Sequence, residues 1–194
     1  MKSLWVLISL FMLGSVPFVW ADSDTGNMGN GAWFVQLNGD TSFPTAHLAD
    51  QVNQGWGGEG SIGFRSPIDL ELAIESGYDT YSTKNGNNSG AFTVVPLVLK
   101  LQYDLGVMPT KPYIFVGGGL AFNNKSANYF GGTVATSETD FLEEAGIGMS
   151  FSMEAETIFY VQGKIEVNNT SSSYASDVPT ISFPINVGVR FPLD

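Results

Sequence analysis

The chain has 194 residues, with 19 Asp and Glu against 8 Lys and Arg, and it contains no Cys. A net charge of −11 argues against nucleic acid as a partner, because phosphate recognition requires a basic face. Without Cys, the chain forms no disulfide, carries no lipid on a Cys side chain and has no Cys-based metal or redox site.

The first 21 residues have the organisation of a secretory signal. Lys2 supplies the charged start, an apolar run follows it, and Val19 and Ala21 place small residues at the −3 and −1 positions. A membrane-anchoring helix is the alternative, but a glycine and a proline interrupt the run and no basic cluster follows it. We therefore predict export, with a signal peptide over residues 1–21 cleaved after Ala21 and one domain over residues 22–194.

The part of the chain after Ala21 has no segment that approaches the ~20 apolar residues of a transmembrane helix. Removal of Lys2 with the signal leaves seven basic residues against nineteen acidic ones. If this part spans a membrane, it must be a closed β-barrel, because only helices and closed barrels satisfy every backbone hydrogen bond in lipid.

Eight segments in which apolar and polar residues alternate follow one another along the chain. A period of two is typical of a strand with one apolar and one polar face. The predicted strands are Gly31–Gly39, Gln54–Arg65, Ile68–Asp79, Ala91–Asp104, Pro112–Asn123, Asp140–Ser152, Glu156–Asn168 and Thr180–Asp194.

The connections between these strands alternate in length. Long loops are predicted over 40–53, 80–90, 124–139 and 169–179, and shorter turns at 66–67, 105–111 and 153–155. An even number of strands with this alternation predicts an all-β fold, an eight-stranded antiparallel up-and-down transmembrane β-barrel. We call the two ends of this barrel the long-loop end and the short-turn end.

The apolar faces carry aromatic residues near the strand ends and aliphatic residues between them. This distribution is typical of two aromatic girdles at the surfaces of a bilayer. A water-soluble, lipocalin-like barrel would turn its apolar faces inward and has no need of girdles. The predicted ring at the short-turn end is Trp33, Phe64, Tyr103, Phe151, Phe159 and Phe191, and the ring at the long-loop end is Trp56, Tyr78, Phe122, Phe141 and Phe183.

The polar faces collect charges of both signs, which we expect to point into the barrel. Eight strands leave an interior that side chains just fill, and a buried charge must be paired. The sequence therefore predicts a lumen ion-pair network that plugs the barrel. A narrow path for cations is the alternative, given the acidic surplus. The predicted network is Glu59, Arg65, Glu71, Glu75, Lys100, Glu144, Lys164, Glu166 and Arg190.

Specific pairs follow from the predicted turns. A three-residue turn at 153–155 would place Glu144 directly opposite Lys164, and Glu75 is expected to share Lys164 from across the lumen. Nearer the short-turn end, the basic residues are expected to meet Asp69 and Glu71. The basic residues of that group are Arg65, Lys100 and Arg190.

Two stretches carry a resemblance to a known family. The last strand contains Asn186, Gly188, Phe191 and Leu193 in the spacing of an outer-membrane insertion signal, and residues 112–122 read PYIFVGGGLAF. The chain resembles the small outer-membrane barrels that include the transmembrane domain of outer-membrane protein A and OmpX. The resemblance implies a bacterial outer-membrane protein with a structural or surface-interaction role, in envelope integrity or adhesion.

The same resemblance implies the partners. These are outer-membrane lipid and lipopolysaccharide, the barrel-assembly machinery that reads the C-terminal strand, and host or surface ligands bound by the loops. Two other functions stay open for such a barrel. One is a narrow pore or transporter for ions or small molecules, and the other is a lipid A-modifying enzyme.

A catalytic site is poorly indicated. His47 is the single histidine, and Ser42 and Asp50 lie near it in the first predicted loop. A Ser–His pair needs fixed hydrogen-bond geometry, and three residues of one polar loop are better interpreted as solvated. No metal-ligand spacing occurs and no cofactor is predicted. The glycines at 117–119 lie within a strand with no helical pattern after them, which favours close strand packing over a phosphate loop.

Overall fold

A computed structural model describes residues 32–84, 90–106, 110–129, 132–152, 157–169 and 179–193. The predicted signal over 1–21, the turn at 153–155 and parts of the predicted long loops 80–90, 124–139 and 169–179 lie outside these residues. The described residues form eight strands and one short helix. They are β1 Ala32–Thr45, α1 Ala46–Gln51, β2 Val52–Arg65, β3 Leu70–Thr83, β4 Ala91–Asp104, β5 Thr110–Tyr129, β6 Gly132–Ser152, β7 Ile158–Asn169 and β8 Thr180–Leu193.

The strands form one closed sheet in which each pairs with the next in antiparallel order and β8 pairs with β1. The closing pair runs from Trp33 opposite Leu193 to Thr45 opposite Ile181. The predicted eight-stranded up-and-down barrel is therefore confirmed. Closure leaves no open sheet edge along the wall, as a lipid environment requires.

Two predicted loops are largely strand. β1 continues past Gly39 to Thr45, and α1 follows it directly, where a loop over 40–53 was expected. β5 and β6 likewise extend through most of the predicted loop 124–139. The sequence prediction failed here because it took polar residues for loop. In this barrel, polar residues such as Asp40 and Ser42 occupy inward strand positions.

The barrel is apolar outside and charged inside. Trp56 is 63% exposed and Ile147 is 68% exposed, whereas Glu71 and Glu75 are each 1% exposed. This is the reverse of a water-soluble protein, and it matches a wall that faces lipid on its outer side. Adjacent residues of β4 show the rule, since Leu99 faces outward and Lys100 faces inward, as predicted. No helix in the described part of the chain is long and apolar enough to cross a bilayer.

The glycines at 117–119 permit close packing of β4 and β5. A Cβ atom added at the inward Gly119 would lie 2.0 Å from the backbone oxygen of Leu97 and 2.8 Å from Cα of Val98. At the outward Gly118 the nearest atom to such a Cβ would be 3.8 Å away. Gly119 is therefore required by the approach of the neighbouring backbone, and Gly118 is not.

Candidate functional site in the barrel lumen

The centre of the lumen holds one lysine among four glutamates, which we call the central cluster. Nζ of Lys164 lies 2.6 Å from Oε1 of Glu59, 2.8 Å from Glu166, 3.2 Å from Glu144 and 3.4 Å from Glu75. All five side chains are at most 9% exposed. These partners stand on strands β2, β3, β6 and β7, so a single ammonium group joins walls that face each other across the barrel.

One predicted contact within the central cluster arises from a different register than expected. Glu144 stands opposite Glu166, and Lys164 stands opposite Gly146. The prediction that Glu144 is directly opposite Lys164 is therefore wrong. The connection between Ser152 and Ile158 is two residues longer than the predicted turn, which shifts the pairing by two. Lys164 still reaches Glu144 because its side chain is long.

A second group, the short-turn cluster, lies nearer the short-turn end. Nη1 of Arg190 donates to Oε1 of Glu71 at 2.7 Å, and Nη2 of Arg65 donates to Asp69 and to Asp104, each at 2.7 Å. Nη1 of Arg65 also lies 3.7 Å from Glu71. Arg190 therefore joins β8 to β3. Arg65 joins β2 to β4 and to the turn that contains Asp69.

Lys100 does not join the short-turn cluster, contrary to expectation. It forms a buried ion pair with Glu75 of the central cluster and lies 5.1 Å from the centre of the Phe115 ring. Ala73 stands directly opposite Lys100, so Glu71 and Glu75 are both diagonal neighbours of the lysine. Strand pairing alone does not decide between them. Arg190 binds Glu71, which leaves Glu75 to Lys100.

Several lumen residues were missed by the sequence analysis. Gln36 accepts hydrogen bonds from Arg190 at 2.9 and 3.1 Å, and Asn186 donates to Glu59 at 2.9 Å. Asp104 is the partner of Arg65, yet it was assigned to the strand end without a role. Alternation along the strand could have found these residues. Asp104 is four residues from Lys100 in β4, so both side chains point into the lumen.

Aromatic rings also fill the lumen beside these ion pairs. Tyr113 and Tyr160 are 2% and 1% exposed, and the hydroxyl of Tyr113 donates to Oε1 of Gln162 at 3.1 Å. The guanidinium of Arg190 lies 4.4 Å from the centre of the Phe34 ring. Filling by rings and ion pairs is what an eight-stranded interior permits.

An apolar group that we call the lid lies at the mouth of the lumen at the long-loop end. Helix α1 places Leu48 against Val52, and both pack with Tyr81 and Phe92. The rings of Tyr81 and Phe92 have centres 5.7 Å apart. The Tyr81 hydroxyl donates to Oγ of Ser42 at 2.8 Å, which joins β3 to β1 across the mouth.

The three residues considered for catalysis are not assembled by the described structure. Ser42 is fully buried under the lid and is not the solvated loop residue that was expected. Asp50 is exposed on α1. The side chain of His47 lies outside the described residues. Within the described part of the chain, no group of three or more His, Asp or Glu side chains is arranged to hold a metal ion.

The predicted girdle residues lie on the outer wall of the barrel. Trp33 packs edge-on against Phe64 with ring centres 5.5 Å apart, and Phe64 is consequently half-buried. Phe43, which was not among the predicted girdle residues, is also exposed and stands opposite Phe183. The other predicted girdle residues, all exposed, are Trp56, Tyr78, Tyr103, Phe122, Phe141, Phe151, Phe159 and Phe191.

Three solved structures of bacterial outer-membrane proteins are similar to this chain. Neisserial surface protein A superposes with a TM-score of 0.60 at 18% identity, covering 82% of this chain and 96% of that one. The attachment invasion locus protein Ail of Yersinia pestis gives 0.58 at 14% identity, covering 84% and 99%. A major outer membrane protein of Thermus thermophilus gives 0.61 at 11% identity, covering 84% and 99%.

No protein-family model matches the sequence, and no curated protein matches it. The likeness to the solved structures therefore concerns the fold. The closed eight-stranded sheet, the apolar outer wall and the charged interior agree with that likeness. The chain has the fold of the small transmembrane β-barrels of bacterial outer membranes.

Proposed function

We propose that this protein is an outer-membrane barrel with a structural or surface-interaction role and a lumen plugged by ion pairs. The observation that best supports this proposal is the central cluster, in which Lys164 contacts carboxylates from opposite walls of the lumen. A plugged interior leaves the outer wall and the long-loop end as the parts that act. We place the long-loop end outside the cell and the short-turn end in the periplasm, after export and cleavage behind Ala21.

The long-loop end supports the surface role because one hairpin projects from it. β7 ends at Asn169, which pairs with Phe141, while β6 begins at Gly132 and β5 continues to Tyr129. The nine residues from Gly132 to Asp140 of β6 therefore extend beyond the end of the neighbouring strand. At ~3.3 Å per residue this is about 30 Å of strand. The described part of this hairpin exposes Ala135, Thr136, Ser137 and Thr139, which could meet partners above the lipid.

The ligand of a structural neighbour suggests a kind of partner. Ail has been solved in complex with the heparin analogue sucrose octasulfate, and that structure superposes with a TM-score of 0.56 at 15% identity. In this chain nine of the 19 acidic side chains are buried in the lumen, so the net charge of the chain is not the charge of its loops. We therefore propose a surface ligand for the long-loop end without restricting its charge.

Shortening the projecting hairpin tests the surface role. Replacement of residues 127–134 by a two-residue Asn-Gly turn is expected to abolish attachment of expressing cells to a host-cell or matrix surface that the wild type binds. The barrel wall should be unaffected, because the removed residues lie beyond the β4–β5 pairing that ends at Ser126. Heat-modifiable migration on gels reports folding. Attachment that survives in a folded shortened variant contradicts this assignment.

The alternative function is a narrow pore for cations, which is favoured by the excess of acidic over basic side chains in the lumen. We expect wild-type protein in planar lipid bilayers to give no conductance steps, because Lys164 and the aromatic rings occupy the lumen. Reproducible steps that disappear in Glu144→Gln or Glu75→Gln would establish the pore instead. Glu138→Gln is the matched control, since Glu138 lies on the projecting hairpin, where β6 extends past the end of β7.

We further propose that the protein is not an enzyme. The buried Ser42 hydroxyl, which accepts a hydrogen bond from Tyr81, supports this proposal because a nucleophile must be reachable by its substrate. Lipid A from cells with the wild type and with His47→Ala should have the same masses. The aliphatic band of the outer wall is proposed to contact lipid and lipopolysaccharide, and β8 to be read by the barrel-assembly machinery.

A further inference from the structure

One charged side chain of the barrel faces lipid. In β6, Leu142 and Glu144 are buried in the lumen, and the residue between them points the other way. Glu143 is partly exposed on the outer wall, between the exposed residues Phe141 and Ala145. Among the described strands it is the single Asp, Glu, Lys or Arg at an outward position. The other charged residues of these strands occupy the alternate positions, on the lumen side of the sheet.

The depth of Glu143 follows from the aromatic girdles. Glu143 is two residues from Phe141, in the ring at the long-loop end, and eight residues from Phe151, in the ring at the short-turn end. At ~3.3 Å per residue and a strand tilt of about 40°, it lies roughly 5 Å deeper in the bilayer than Phe141. Aromatic girdles sit at the level of the lipid headgroups. The carboxylate is therefore just beneath the headgroups, within reach of a group that extends from them.

The carboxylate of Glu143 has no partner among the described residues. No hydrogen bond or ion pair to it comes from this part of the chain, whose strands carry their basic side chains on the opposite face of the sheet. Its direct neighbours across the sheet are Gly118 of β5 and Val167 of β7, which have no polar side chain. A charge that faces hydrocarbon alone is costly, and an ionisable residue at such a position indicates a binding site. A cationic group from outside the chain meets this need.

The wall beside Glu143 is depressed. Gly118 stands between Glu143 on β6 and Leu99 on β4, which is 54% exposed. A Cβ atom added at Gly118 would have Cζ of Phe141 as its nearest neighbour, at 3.8 Å, so strand packing does not require a glycine here. Ala145, diagonal to Gly118, continues the depression towards the middle of the bilayer. An acyl chain can lie on this floor while its headgroup stays near the carboxylate.

We propose that Glu143 and the depression at Gly118 bind a lipid whose headgroup carries a primary ammonium group. The ammonium donates charge-assisted hydrogen bonds to the carboxylate, and the acyl chain packs on Gly118 between Leu99 and the Phe141 ring. Phospholipids with an ethanolamine headgroup carry this group, and so does lipid A whose phosphates bear ethanolamine. A lipid is favoured over a basic protein segment because headgroups surround the barrel at this depth. The inference rests on the proposed contact of the outer wall with lipid, and it names the class of lipid and its place.

Native mass spectrometry of the full chain tests the site. The refolded protein, in an uncharged maltoside detergent, receives equal amounts of phosphatidylethanolamine and phosphatidylcholine with identical acyl chains. The two headgroups carry the same charges, but the quaternary ammonium of phosphatidylcholine has no N–H to donate. We expect the wild type to retain one lipid, with a preference of about tenfold for phosphatidylethanolamine, the size expected for one hydrogen bond to a charged group.

Two variants separate the charge from the shape of the site. The preference should be lost in Glu143→Gln, which removes the charge, and retained in the matched control Glu138→Gln, which alters the projecting hairpin. Gly118→Leu fills the depression and leaves the carboxylate in place, so it should reduce the amount of lipid retained. Gel mobility before and after heating identifies the folded fraction of each variant.

The outcomes distinguish this inference from the proposed function. A folded wild type that retains both lipids equally overturns the inference, as does an undiminished preference in Glu143→Gln. A dimer that disappears in Glu143→Gln would also overturn it, because a second copy would then cover the carboxylate. The surface role would stand in each of these cases, since attachment of cells tests it separately. A wild type that does not fold in detergent or lipid would instead contradict the membrane barrel itself.

Discussion

Replacing Lys164 by alanine is expected to lower the free energy of unfolding in lipid by about 3–5 kcal/mol. The substitution removes the ammonium group that lies within 3.4 Å of four carboxylates. Glu59, Glu144 and Glu166 would then be buried together with no cation between them, and Glu75 would retain Lys100 alone. Equilibrium unfolding by urea in lipid vesicles, followed by tryptophan fluorescence, measures the change.

Lys111→Ala is the matched control for this experiment. Its ion pair with Asp69 is 4.0 Å long and partly exposed, so its removal should cost about 0–1 kcal/mol. In the Lys164→Ala background, adding Glu144→Gln should recover part of the loss, because it removes one of the stranded charges. If Lys164→Ala and Lys111→Ala cost the same, the central cluster does not stabilise the barrel.

Leu99→Arg is expected to cost about 2–4 kcal/mol, the penalty of a cation at the middle of the bilayer. Leu99 is 54% exposed on the outer wall. It lies four residues from Tyr103 of the short-turn ring, and four residues in the other direction Val95 pairs with Phe122 of the long-loop ring. Leu99 is therefore midway between the girdles. The same urea unfolding in lipid vesicles gives the measurement.

Leu105→Arg controls for the general effect of the substitution. Leu105 is 55% exposed but follows the last residue of β4 at the short-turn end. Near the interface the penalty for arginine falls to about 0–1 kcal/mol. Equal losses at the two sites would mean that depth along the wall has no influence, which would contradict the placement of the girdles around lipid.

The faces of the strands could be predicted from the sequence because lipid and a charged lumen impose opposite chemistry on alternate residues. Leu99 and Lys100 illustrate this, and so does the pair Ile74 and Glu75. The ends of β1 could not be placed in the same way. Polar residues occur both in a lumen and in a loop, so Asp40 and Ser42 were assigned to a connection although they lie inside the barrel.

The partners within the lumen were harder to predict than the faces. A turn longer by two residues moved Glu144 from Lys164 to Glu166, and the assignment depended on that length. Lys100 had two equivalent diagonal neighbours. Asp40 and Asp79 both stand opposite Gly57, one on each neighbouring strand, and this meeting depends on the register of three strands at once. The two-residue alternation along a strand predicts only whether a side chain points into the lumen or towards lipid. It does not predict which residue of another strand that side chain contacts.

The pairing of the first strand with the last has a consequence for biogenesis. Trp33 and Leu193 are 160 residues apart, and until β8 arrives, β1 and β7 both present unpaired backbone groups. Such edges are not tolerated in hydrocarbon. Contacts this remote also close slowly. Integration into the bilayer must therefore await synthesis of the entire domain, and a nascent chain that stops before residue 180 remains a substrate for chaperones and proteases.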